Sequence, residues 1–166
     1  MKNTDLPVSE GTAGSPAGRS RKRTVIWWGV ILLIAVYLLL PMLKGLYYRV
    51  QSAPADGIAW RMDLPAALAE SARTGKPVLA DFSATWCPPC QVMKHEVWPN
   101  AQVAKTVNEN YIPVALDADA DGSNGPAQQY GVRTIPTVLI LDSKGKILRA
   151  AHSLDVAGLL RFLADK

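Results

Sequence analysis

Residues 79–90 read LADFSATWCPPC, an apolar run that passes without a break into Trp86-Cys87-Pro88-Pro89-Cys90. Taken from Pro77 to Ser83, the run is short and lacks the polar alternation of a half-exposed strand, which predicts a buried central strand. Pro88 and Pro89 suit the first turn of a helix, where a missing N–H is tolerated, so the two cysteines open the helix that follows.

Working outward, Asp63 can cap a helix whose first turn accepts Pro65, with Leu64, Leu68 and Ala72 on one face and Gly75 as its stop. Beyond the cysteines, a helix from Gln91 to about Val97 is interrupted at Pro99 and resumes after Asn100, a second capping residue, over Ala101 to Glu109. Tyr111 to Leu116 predicts a second strand, Asp117 to Gly125 a polar loop, Pro126 to Tyr130 a short helix and Pro136 to Asp142 a third strand. The Gly-containing turn Asp142-Ser143-Lys144-Gly145 leads into a hairpin strand over Lys146 to Ala150, and Val156 to Ala164 closes the chain as a helix. Short strands alternating with helices and ending in a hairpin and helix imply an α/β fold, a mixed central sheet flanked by helices on both faces.

The chain has two cysteines, and their local spacing suits chemistry better than a disulfide scaffold that closes long loops. Two thiols one helical turn apart can close an internal disulfide and reopen it. Cys87 falls at the N-cap, where free backbone N–H groups and the helix dipole favour a thiolate, while Cys90 lies deeper and should be shielded. A zinc site is the competing reading, since a Cys-x-x-Cys pair supplies half a tetrahedral shell. His95 and His152 would have to complete it, but His95 follows Cys90 by five residues on one helix and no second cysteine pair exists. No metal and no cofactor are expected.

Of the 166 residues, 1–55 carry 7 Lys or Arg against 2 Asp or Glu, and the remainder 11 against 12, so the net charge of +4 lies in the N-terminal third. The folded part is near neutral, which argues against a nucleic-acid partner. Residues 1–24 read as a disordered basic tail, poor in large apolar groups and ending in Arg19, Arg21, Lys22 and Arg23. Residues 25–43 are apolar and uncharged, roughly 28 Å as a helix, enough for a bilayer core. Trp27 and Trp28 near one end and Tyr47 and Tyr48 past the other suit the headgroup layers, and the clustered cations place the tail on the cytoplasmic side. Residues 44–57 read as a linker and 58–166 as the folded domain. A cleaved signal peptide is the alternative, with Ala53-Pro54-Ala55 as its site, but that site lies about ten residues past the apolar run, farther than is usual.

LADFSATWCPPC together with GVRTIPTVLILDSKGKIL at 131–148 resembles the thioredoxin family over about residues 58–166. MKHEVWPNAQV at 93–103 brings the chain nearest to the periplasmic reductase domains of membrane thiol:disulfide interchange proteins, and no long insertion of the cytochrome c maturation type separates Cys90 from Pro136. The resemblance implies a thioredoxin-like fold with Cys87 and Cys90 as the redox pair. It implies that Asp81 is the buried acid that manages the proton of the resolving thiol, and that Pro136 is a cis-proline whose predecessor Ile135 offers backbone hydrogen bonds to a substrate strand. Trp86 matches the aromatic flank of the site. Pro88 departs from the more usual glycine, Ser83 from a frequent aromatic, and Ala115 stands near the place of the family's buried lysine. His152 aligns where a glycine is common and is a candidate for tuning the thiolate, as are Pro88 and Pro89.

These readings combine into a membrane-anchored thiol-disulfide oxidoreductase, its domain periplasmic or otherwise outside the cytoplasm, that reduces exported disulfide-containing proteins and is recharged by a membrane electron-donor protein. A disulfide oxidase or isomerase using the same pair is the enzymatic alternative; a thioredoxin-fold adaptor or chaperone is the alternative of another class. Pro88 removes a backbone donor from beside Cys87, so Pro88→Gly is expected to lower the Cys87 thiol pKa, measured as the pH dependence of its alkylation rate. A pKa that rises or stays put would refute a role for Pro88 in weakening the thiolate.

Overall fold

The computed structural model describes residues 20–120 and 125–165, with side chains from residue 25 on. The chain divides between Tyr37 and Leu38 into two units. In the first, the described residues belong to α1 (Ser20–Arg49), a helix long and apolar enough to cross a membrane. Large side chains such as Trp27, Leu32 and Leu33 are exposed along it, as expected of a helix with no protein core to enter.

Both ends of α1 depart from expectation. Residues 1–19 of the expected tail lie outside the described residues, and residues 20–24, also assigned to the tail, form the start of the helix. Arg and Lys are good helix formers, and no Gly or Pro separates them from the apolar run. At the other end, residues 44–49, expected as linker, continue α1 to Arg49 with Pro41 inside it. Packing holds this last part. Gly45 is buried against Pro88 with no room for a Cβ, Tyr48 stacks on His95 at 4.4 Å between ring centroids, and Lys44 pairs with Glu96 at 2.5 Å.

The second unit is built on a four-stranded sheet, β1 (Val78–Ser83), β2 (Ile112–Asp117), β3 (Thr137–Leu141) and β4 (Ile147–His152), in the order β2-β1-β3-β4. β1 pairs parallel with β2 and antiparallel with β3, and β3 pairs antiparallel with β4 across the expected hairpin. The sheet is mixed, as the alternation of elements predicts. Alternation along the buried strands sends Leu79, Val138 and Ile140 to a cluster with Met93, Val97, Trp98, Val103, Val107 and Leu159, and sends Val78, Phe82 and Val114 to a second cluster with Leu64 and Ala67.

The helices start where polar caps place them. Asp63 accepts from Ala66 N at 2.9 Å to open α2 (Leu64–Thr74), and Gly75 ends it with φ 75°. After the cysteines, α3 (Pro88–Val92) continues into a π-helical turn at Met93–Val97, closed by Trp98 N bonding to Met93 O at 3.0 Å. Pro99 then breaks the helix. α4 (Ala101–Asn110) restarts on Asn100, whose side chain accepts from Gln102 N and Val103 N at 3.0 and 3.2 Å. α5 (Pro126–Gln129) and α6 (Val156–Ala164) complete the fold. Asn100 serves two otherwise unpartnered N–H groups, so Asn100→Ala should destabilise the domain by about 1 kcal/mol, read as a lower midpoint of denaturant unfolding.

Candidate active site

Cys87 and Cys90 are joined as a disulfide at the start of α3. Cys87 is the N-cap, and Cys90 N donates to its sulfur at 3.3 Å, one of the backbone donors the prolines leave in place. Both residues are buried, Cys87 2% and Cys90 4% exposed, so the expected shielding extends to both sulfurs. Ala84 from the same segment and Ile135 from the distant loop before β3 pack against the pair. Pro88 is half-buried and Pro89 exposed.

Opposite the disulfide lies the loop before β3. The Ile135–Pro136 peptide is cis, and the Ile135 carbonyl oxygen stands 3.8 Å from Cys87 Sγ. On the other flank, Trp86 is half exposed and its ring N–H donates to Asp119 at 2.5 Å. Gln91 ties the turn into α3 from behind, donating to the carbonyls of Ala84 and Thr85 at 3.3 and 3.2 Å. Neither Asp119 nor Gln91 was legible beforehand, one being a carboxylate in a polar loop and the other an ordinary helical amide.

Asp81 lies on β1 six residues before Cys87 and shares the strand face of Leu79. It is 7% exposed, and its Oδ1 has no hydrogen-bond partner. Burial pushes its carboxyl up to about 7, opposed by the Ser83 hydroxyl and by the charge of Lys94. Asp81 and Cys90 line one cavity of about 320 Å³, which also touches Asp56, Lys94, Ala115 and Asp117.

His152 pairs with Thr137 across β3 and β4, its Nδ1 2.8 Å from Thr137 Oγ1. The threonine hydroxyl has one hydrogen and donates it to the Thr134 carbonyl at 2.6 Å. His152 must therefore donate through Nδ1–H, which leaves Nε2 free whenever the ring is neutral. The histidine thus braces the residue that follows Pro136, and no hydrogen bond joins it to either cysteine. His95 is taken up in its stack on Tyr48.

A strand leading to a disulfide at a helix start, an acid beneath it and a cis-proline beside it define a thiol-disulfide exchange site. The thioredoxin-like family model matches residues 59–143. The thioredoxin of Mycolicibacterium smegmatis is 30% identical over 92 residues, covering 55% of this chain and 80% of that protein. Among solved structures, a disulphide isomerase from Xylella fastidiosa is 25% identical, with a TM-score of 0.51 over 60% of this chain and 84% of its own. The reduced C-terminal domain of Neisseria meningitidis DsbD shares the fold at 21% identity, with a TM-score of 0.50 over 60% of this chain and 90% of its own. The chain belongs to the thioredoxin family and is a thiol-disulfide oxidoreductase.

A carboxyl raised from an unfolded value of 3.8 to about 7 costs stability when it ionises. Between these values the unfolded chain has released its proton and the folded chain has not, so stability falls as pH rises through that window and levels off above it. The full span of about 3 units corresponds to an upper bound of roughly 4 kcal/mol. Asp81→Asn should therefore raise the melting temperature of the oxidised protein much more at pH 8 than at pH 4; an equal change at both would exclude a carboxyl held protonated by burial.

Proposed function

We propose that this protein is a single-pass membrane enzyme that reduces disulfides of exported proteins, its N-terminus cytoplasmic and its thioredoxin-like domain periplasmic. The observation that carries this reading is the Cys87–Cys90 disulfide at the mouth of α3, beside the Ile135 carbonyl and sharing a cavity wall with buried Asp81. In the reduced enzyme, the Cys87 thiolate attacks a partner disulfide and forms a mixed disulfide. Asp81 accepts the Cys90 proton, and Cys90 displaces the partner sulfur from Cys87. Ile135 and Pro136 hold the partner's extended backbone, with Trp86 on its flank, while Pro88, Pro89 and His152 tune the pair.

The anchor and its orientation rest on residues 25–43 and on the cations before them. An oxidising compartment returns no reduced thiols by itself, so a membrane electron-donor protein must recharge the enzyme. Proline at position 88 leaves the Cys87 thiolate fewer donors, which favours the disulfide form and makes the dithiol the better reductant. The likeness to a disulphide isomerase supports a second reading, isomerisation or oxidation by the same pair, which a less reducing measured potential would favour.

Cys90→Ser leaves Cys87 able to capture a partner and unable to release it. In cells, this variant should accumulate mixed disulfides that disappear on reduction and are absent when Cys87 is also replaced. If Cys87→Ser instead retained full biological activity, the protein would be a non-catalytic adaptor.

A further inference from the structure

The cavity beside the disulfide is lined by four charged residues, Asp56, Asp81, Lys94 and Asp117, of which only Lys94 is a cation. Its position follows from the chain. Lys94 lies four residues past Cys90, which puts both on one side of the helical segment that runs through α3 and the π turn. Met93 and Val97 on the same turn are buried in the core, while Lys94 stays exposed at the cavity.

Within the sheet, the Ser83 hydroxyl on the same strand also favours the ionised form of Asp81. Its direct neighbours are Ala115 on β2 and Val138 on β3, and neither of these two residues carries a charge or a donor side chain. Asp56 is already engaged, accepting from Ile58 N at 2.9 Å and from the Trp60 ring N–H at 2.8 Å. Asp117 adds like charge. Among the described residues, no carboxylate forms an ion pair with Lys94.

We propose that Lys94 is a positioning residue for disulfide exchange: from the helix it faces Asp81 across the cavity and favours the ionised carboxylate that accepts the Cys90 proton. This rests on the assignment of Asp81 as the proton acceptor. In the step concerned, the Cys90 S–H bond breaks and its proton passes to Asp81, directly or through water in the cavity. The Cys90 sulfur forms a bond to Cys87 Sγ as the bond from Cys87 to the partner sulfur breaks. The partner leaves as a thiolate that takes a proton from solvent; the enzyme pair is oxidised by two electrons and the partner cystine is reduced by two. Lys94 neither gives nor receives a proton. Its ammonium stabilises the charged form of the acceptor, and because it is exposed its influence is modest and sensitive to salt.

The test uses the full chain in detergent, reduced and mixed with the aromatic disulfide 5,5′-dithiobis(2-nitrobenzoate). Release of the first thiolate reports attack by Cys87, and release of the second reports resolution by Cys90. At low ionic strength, Lys94→Gln should move the acid limb of the second phase up by about half a pH unit, a roughly three-fold slowing below it, and Lys94→Glu should move it further. Lys94→Arg should keep the wild-type limb, and about 1 M salt should largely erase the differences. In the oxidised protein, where the cysteines do not titrate, infrared difference titration of the Asp81 carboxyl should show the same order without any catalysis. A limb and a carboxyl titration that Lys94→Glu leaves unmoved, or that Lys94→Arg moves as far as Lys94→Gln, would overturn the role of Lys94 alone. If Asp81→Asn leaves the limb of the second phase intact, both this inference and the assignment of Asp81 fail.

Discussion

One carboxyl group inside an apolar sheet is the constraint around which the site is organised. Asp81 lies between Ala115 and Val138, with one oxygen unpartnered, in a strand whose neighbouring residues build two hydrophobic clusters. A residue selected for stability alone would be apolar here, since burying a carboxyl without hydrogen bonds is costly. The same burial that destabilises the fold brings the group's protonation into the neutral range, where it can both accept and return a proton. In the proposed mechanism, the stability lost to that burial is exchanged for a proton acceptor beside the disulfide.

The rest of the fold brings other groups to that carboxyl. β1 ends in the turn that carries the cysteines, and two prolines start α3 immediately, so the acid and the sulfurs are fixed by a few residues of one chain segment. The remaining wall comes from far away in sequence: Ile135 packs against the cluster of Ala84 and the two cysteines, and His152 reaches back to Thr137, next to the proline. Cys87 is therefore held between a local element and a distant one. In the proposed function, a partner strand approaches along the loop that carries the cis peptide.

Much of this was legible in sequence because it is local. Proline after a capping residue, apolar periodicity and Asp63 and Asn100 as caps determine where α2, α3 and α4 begin, and these read correctly to within a few residues. What escaped depends on contacts between segments. The hydrogen bond from Trp86 to Asp119 joins residues 33 apart, and no pattern marks a loop aspartate as its acceptor. The apolar run alone marks a helix end near Leu43, yet α1 continues because Gly45 and Tyr48 find partners in α3 and the π turn. Pro99 signals an interruption but not its form, a π turn at Met93–Val97 with both end residues buried in the core.

The family resemblance and the physical reading diverge at one position, and the divergence is informative. Ala115 leaves the strand beside Asp81 without a cation, so β2 offers nothing to offset the burial of the acid. The cavity is nevertheless lined by one cationic residue, Lys94, carried about one helical turn beyond Cys90. A charge carried on the same helical segment as the resolving sulfur is linked to that sulfur's position, whereas a charge on the sheet is linked to the acid's.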